Sequence, residues 1–231
     1  MWSQYYMSYY IYVLPIVLIA MWASANVNST YKKYSRVMSH SGRSGRDAAE
    51  MILRENNIYD VEIESIPGNL TDHYDPRVKK IRLSGDIYGS RSVAALGIAA
   101  HEAGHAVQHA SGYAPLKLRN AIIPVTNIGS NLAIPLVILG IILSAPVFVN
   151  FGIALFTFAV IFQLLTLPVE INASRRAVAA LEQSYTLDEE ELKMTKKVLT
   201  AAALTYVAAL AVALANLFRL LMLAQGGRDR R

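Results

Sequence analysis

The chain has 231 residues, 54% of them hydrophobic and only 17% charged, with a formal net charge of +5 and no cysteine. The missing cysteines exclude a disulfide framework and any thiolate metal site, leaving histidine and carboxylate as the ligands on offer. The basic balance does not mark a nucleic-acid partner, because basic residues are interspersed with acids and no platform of stacking aromatics accompanies them.

Residues 10–25 are apolar, with Trp2, Tyr5, Tyr6, Tyr9, Tyr10 and Tyr12 at one end and Trp22 at the other, as in a spanning helix with interfacial aromatic belts. Ala23-Ser24-Ala25 has the small residues of a signal cleavage site. However, the basic residues Lys32, Lys33 and Arg36 follow the apolar run instead of preceding it, which favours a retained anchor. Residues 26–45 are polar and contain Ser and Gly, the composition of a linker or covering loop. A helix is predicted over residues 46–55, with Ala49, Ile52 and Leu53 on one side. Two β-prone runs at 60–66 and 78–84 predict a small sheet, separated by turn formers at 67–76. Small apolar residues then predict a helix over 92–111, ended by Gly112 with Pro115 beyond.

No charged residue occurs from 121 to 169, a length that suits two membrane crossings joined by a tight turn around 145–152. Pro168 suits a helix start or kink. Thr186-Leu187-Asp188-Glu189 has the pattern of a capping box opening a helix that runs into the last apolar stretch, 201–223. Four membrane helices are expected. The organisation predicted is a first anchor (1–26), a small domain carrying the 92–111 helix (27–120), a transmembrane hairpin (121–169), a helix and linker (170–200), and a last transmembrane helix with its tail (201–231).

Within the 92–111 helix lies His101-Glu102-Ala103-Gly104-His105, an H-E-x-x-H pentapeptide. Side chains four apart share a helix face, so His101 and His105 can offer two imidazole nitrogens to one metal ion. Glu102 sits where such a carboxylate polarises a metal-bound water and carries its proton to the leaving amine. A hydrolytic zinc site needs three protein ligands and an open position. Two crossings return the chain to the side it left, so Glu170, a lone carboxylate at the edge of an apolar span, is the expected third ligand. His109 is the rival. Three consecutive turns of one straight helix do not converge on a tetrahedral ion, so His109 is expected to line the cleft instead.

The segment from His101 to Gln108, with Leu70-Thr71-Asp72-His73-Tyr74-Asp75-Pro76 upstream and Pro168-Val169-Glu170-Ile171-Asn172-Ala173-Ser174-Arg175-Arg176-Ala177 downstream, resembles the YugP-like membrane zinc metallopeptidases. More distantly the chain is similar to the HtpX-type and CAAX-prenyl-type gluzincins. The resemblance implies an α-helical integral membrane protein of about four transmembrane helices with a small α+β zincin-like metalloprotease domain. It also implies one zinc ion per chain on His101, His105 and Glu170, with Glu102 as the catalytic base. The wider group has an aspartate four residues after the ligand glutamate, where this chain has Ser174. Ser174 or Asn172 is therefore left to hydrogen-bond an imidazole, more weakly than a carboxylate does. A donor to the oxyanion could come from Tyr74, His73, Arg175 or Asn127.

The function expected is an integral membrane, zinc-dependent metalloendopeptidase, a multi-pass protein of the cell membrane. Basic residues at 32–36, 175–176 and 193–197 place its site on the cytosolic side. Its expected partners are a protein or peptide substrate and the lipid bilayer, with no nucleic acid and with homo-oligomerisation left open. Two other classes compete: a zinc-stabilised membrane scaffold without proteolysis, and a small transporter or channel subunit, suggested by Thr126, Asn127, Ser130, Asn131 and Gln163.

Overall fold

The computed structural model describes Met7 and residues 9–228, so the expected belt residues Trp2, Tyr5 and Tyr6 and the tail residues Arg230 and Arg231 lie outside the described residues. A π-helical turn at Tyr9–Val13 leads into α1 (Leu14–Tyr34). Then follow α2 (Gly45–Glu55), β1 (Glu62–Ile66), β2 (His73–Asp75), β3 (Lys80–Ser84), a single turn α3 (Gly85–Tyr88), α4 (Val93–Ala110), α5 (Ala114–Ile142), α6 (Pro146–Gln183) and α7 (Glu189–Arg228). The chain is an α-helical membrane protein with a small three-stranded sheet. Four helices, Tyr10–Tyr34, Ala114–Ile142, Pro146–Gln183 and Glu189–Gln225, are long and apolar enough to cross a bilayer, for which about 20 residues suffice.

The fold divides into two compact units. One consists of the described parts of Met1–Ser24, Leu118–Leu167 and Leu204–Arg231. Its helices leave Leu18, Met21, Trp22, Phe151 and Leu164 exposed, as lipid-facing side chains must be. Glycines set its internal approach: a Cβ on Gly152 would stand 2.6 Å from the Ala133 carbonyl oxygen, and one on Gly140 2.7 Å from Val149. Such close backbone contact is how helices associate where no hydrophobic effect drives them. The turn between the two crossings falls at residues 143–145, meeting the 145–152 stretch expected only at Ala145, because Gly152 serves helix contact and not the turn. The hydroxyls of Thr126 and Ser130 donate to the carbonyls of Ile122 and Thr126 on their own helix, which satisfies them without a pore.

The other unit consists of Ala25–Lys117 and Pro168–Ala203. Its centre is α4, whose Val93, Ala94, Leu96, Ala99, Ala100 and Ala103 are fully buried. Around these pack Ala49 and Ile52 of α2, Ile81 and Leu83 of β3, Ala177 and Leu181 of α6, and Leu192 and Leu199 of α7. The sheet order is β1-β3-β2, with β1 and β3 parallel in the register Ile63↔Ile81 and β2 and β3 antiparallel in the register Tyr74↔Ile81. β2 is an edge strand. Three residues inside a run of turn formers carry too little alternation to read as a strand. What fixes β2 is Asp72, whose carboxylate accepts from the Ser84 backbone N–H at 2.7 Å and the Ser84 hydroxyl at 3.1 Å.

Two other boundaries differ from expectation. Residues 26–34 continue α1 instead of forming a linker. The capping box of α7 forms two residues later than Thr186 and Glu189 suggest: the Glu191 N–H donates to Asp188 Oδ1 at 2.9 Å and the Asp188 N–H to Glu191 Oε2 at 3.1 Å. Aspartate is a stronger N-cap than threonine, and Glu191 then occupies the third helical position.

Candidate metal centre

The site is built where α4 crosses the part of α6 that belongs to the same unit. A Cβ on Gly104 would lie 2.7 Å from the Ala173 carbonyl oxygen, so the glycine inside the pentapeptide lets the two backbones touch. Ala173, Ala177 and Leu181, spaced by four residues, are fully buried and form the stripe α6 lays on α4. Glu170 and Ser174, also four apart, flank that stripe and reach the histidines of α4.

Three ligand atoms converge there. His101 Nε2 is 3.2 Å and His105 Nε2 3.4 Å from Glu170 Oε2, and the rings stand edge to face with centroids 4.7 Å apart. Ligands about 2.0–2.2 Å from a tetrahedral ion stand roughly 3.3–3.5 Å from one another, so the spacing and the donor set both fit zinc. Glu170 is 4% exposed. Burial alone would push the His105 imidazole down, but the Glu170 carboxylate beside it reverses this and holds the ring above the usual histidine range. The pocket thus attracts positive charge.

The far nitrogens of both rings are held. His101 Nδ1 lies 3.1 Å from Ser174 Oγ, and His105 Nδ1 lies 3.0 Å from Gln108 Oε1. Gln108 is fully buried, and its Nε2 donates to the Val169 carbonyl at 2.8 Å and to Asn172 Oδ1 at 3.0 Å. With the amide nitrogen so committed, Oε1 must face the imidazole, which makes His105 Nδ1 the protonated nitrogen and leaves a lone pair on Nε2. Asn172 also accepts from Arg176 Nε at 2.9 Å. Of the two residues expected to support an imidazole, Ser174 does so directly and Asn172 through Gln108. The sequence reading missed Gln108 in that role, although an amide three residues after His105, on the face that carries both histidines, was the available signal.

Glu102 follows His101 and is 8% exposed. Its carboxylate has no hydrogen bond or ion pair with any other described residue, so both oxygens remain available to a proton.

The remaining residues named from sequence separate. His109 is outside the three-ligand group. Its Nδ1 lies 2.8 Å from the Tyr74 hydroxyl, joining the edge strand β2 to α4 one turn beyond His105. Burial, followed by the charges of Asp60 and Asp75, pushes the Tyr74 phenol up to about 12, so it stays protonated at neutral pH. His73 is exposed and its Nδ1 is 2.8 Å from the Thr71 carbonyl. Arg175 is exposed, and Asn127 belongs to the other unit.

A second group, His40, Asp188 and Glu191, also brings three ligand atoms within 4.8 Å of one another. It joins the loop before α2 to the first turn of α7.

A profile of the protein family described as "Putative neutral zinc metallopeptidase" matches residues 9–225. Among curated proteins, the "Putative membrane protease YugP" of Bacillus subtilis (strain 168) is 46% identical over 211 residues, covering 91% of this chain and 94% of that relative. No solved structure matches the chain.

Proposed function

Because the chain belongs to the family described as putative neutral zinc metallopeptidases, we propose that His101, His105 and Glu170 hold one zinc ion and that the protein hydrolyses peptide bonds there. The convergence of both Nε2 atoms on Glu170 Oε2, at 3.2 and 3.4 Å, carries this reading. Zinc, when bound, supplies a Lewis acid that acidifies water and draws charge from a carbonyl oxygen. The chain does the rest.

Gln108 and Ser174 hold the ring orientations, so both Nε2 atoms would meet the ion without reorganising. Glu102, buried and unpaired, takes the proton of the attacking water and returns it to the departing nitrogen. The free edge of β2 binds an extended peptide by main-chain hydrogen bonds and presents its carbonyl to the site. In the tautomer that protonates His109 Nδ1, the Tyr74 hydroxyl accepts from it and keeps its own proton to donate to the carbonyl oxygen as charge develops.

The site faces the cytosol, because Lys32, Lys33, Arg36, Arg175, Arg176, Lys193, Lys196 and Lys197 all flank apolar spans on its side of the chain. The protein has no cysteine, so a single Tyr59→Cys substitution reports this directly. An impermeant maleimide should label it only after lysis, and labelling of intact cells would reverse the orientation.

The hydrolytic reading is tested with purified full-length protein and an unstructured polypeptide substrate. Cleavage should stop with a chelator, return with zinc, and be missing from a Glu102→Gln protein that still holds zinc. Cleavage by that variant at the wild-type rate would refute the role of Glu102. A zinc-loaded wild type that cleaves no peptide would favour the scaffold.

A further inference from the structure

A cavity of about 500 Å³ opens within the polar unit, between the last turn of α1 and the first turns of α7. Four lysines line it, Lys33, Lys193, Lys196 and Lys197, against a single carboxylate, Glu190, with Tyr34 in its wall. Lys193 is paired to Glu189 and Glu190 at 3.0 Å each. Lys33, Lys196 and Lys197 have no acidic partner among the described residues, and Lys33 Nζ rests 5.3 Å from the centre of the Tyr34 ring.

We propose that this cavity binds the phosphate headgroup of an anionic membrane lipid. Three lysines without an acidic partner share the wall of one concavity, and a phosphate offers oxygens that can accept from their ammonium groups while the apolar part of the wall receives the lipid's glycerol and chain. Chain position supplies the lipid: Lys196 and Lys197 lie about one turn before the last apolar stretch, 201–223, and Lys33 lies in the last turn of the helix that begins in the first apolar run. Lysines there lie at headgroup level, next to the leaflet rich in anionic lipid if the orientation above holds. Topology requires only that lysines lie on one side of the membrane. It does not require them to surround a cavity with an aromatic wall.

The test uses the full-length protein in neutral detergent micelles doped with phosphatidylglycerol or, at equal mole fraction, phosphatidylcholine, reading the thermal midpoint across a lipid titration. Phosphatidylglycerol should raise the midpoint saturably, less so at high salt. In a Lys33→Gln/Lys196→Gln/Lys197→Gln protein its apparent affinity should fall roughly 100-fold. Glu190→Gln removes the one carboxylate that lines the cavity and leaves Lys193 paired to Glu189 alone, so it should bind several-fold more tightly; this opposite-sign outcome does not depend on the triple variant folding. An equal response to phosphatidylcholine, an unchanged response in the triple variant, or weaker binding by Glu190→Gln would overturn the proposal. So would inorganic phosphate alone giving the full shift, since the ligand would then be a free anion and not a lipid.

Discussion

Two histidine-carboxylate groups in one unit meet the same criterion of proximity, and they differ in everything else. In the His101, His105 and Glu170 group the carboxylate is buried and the histidine side chains are only 15% and 12% exposed, three ligand atoms converge, and Ser174 and Gln108 hold the far side of each ring. In the His40, Asp188 and Glu191 group the histidine side chain is 84% exposed and the carboxylates are already engaged. Glu191 Oε1 accepts from the His40 backbone N–H at 2.7 Å, Glu191 Oε2 from the Asp188 N–H, and Asp188 Oδ1 from the Glu191 N–H. The second group is a helix cap with a loop pinned to it, and the positive end of the helix dipole disfavours a cation there. What distinguishes the candidate metal centre is the convergence of its ligand atoms in a largely buried place and the support behind each ring.

That contrast can be broken at several points. The largest effect is expected at Glu102, which has no counterpart beside the cap. Glu102→Gln should lower peptide hydrolysis by about 10²–10⁴-fold in a steady-state assay while zinc content stays level. Next is the ring support. Gln108→Leu should weaken zinc affinity by roughly 10–100-fold in a competition titration with a chelating dye, and Gln108→Glu, which can still accept from His105 but loses the donors to Val169 and Asn172, should recover only part of it. Equal affinity in all three proteins would remove the supporting role of Gln108.

Gly104→Ala comes third. Its methyl group would meet the Ala173 carbonyl, forcing α4 and α6 apart at a cost of about 1–3 kcal/mol in unfolding free energy, measured by denaturant titration in mixed micelles. The smallest effect belongs to the cap. The Glu191 backbone N–H, together with His40, holds the Asp188 carboxyl below its usual range. A lowered folded-state value means that the stabilisation is present above the ordinary aspartate range and is lost as pH falls through the folded-state value. Asp188→Asn should therefore lower the thermal midpoint slightly at neutral pH, and the gap to wild type should close in strong acid. A gap independent of pH would show that the cap acts without its charge.

The membrane architecture was legible because hydropathy over 20 residues is a property of composition, which needs no knowledge of packing. The pair His101 and His105 was legible because a helix makes four-residue spacing a geometry. Glu170 came within reach through topology, since two crossings had to return it to the histidines' side. What stayed hidden depended on contacts between distant segments. β2 exists because Asp72 clamps Ser84, and Gln108 matters because the Val169 carbonyl and Asn172 turn its amide. The end of the first crossing was hidden for a different reason: polar residues 26–34 keep a helix going once the apolar turns before them have nucleated it.

The most direct measurement is zinc per chain, by elemental analysis of dialysed full-length protein, in the wild type, Glu170→Ala and His40→Ala. The account predicts about one zinc in the wild type and in His40→Ala, and almost none in Glu170→Ala. Zinc retained by Glu170→Ala, or lost from His40→Ala, would contradict it.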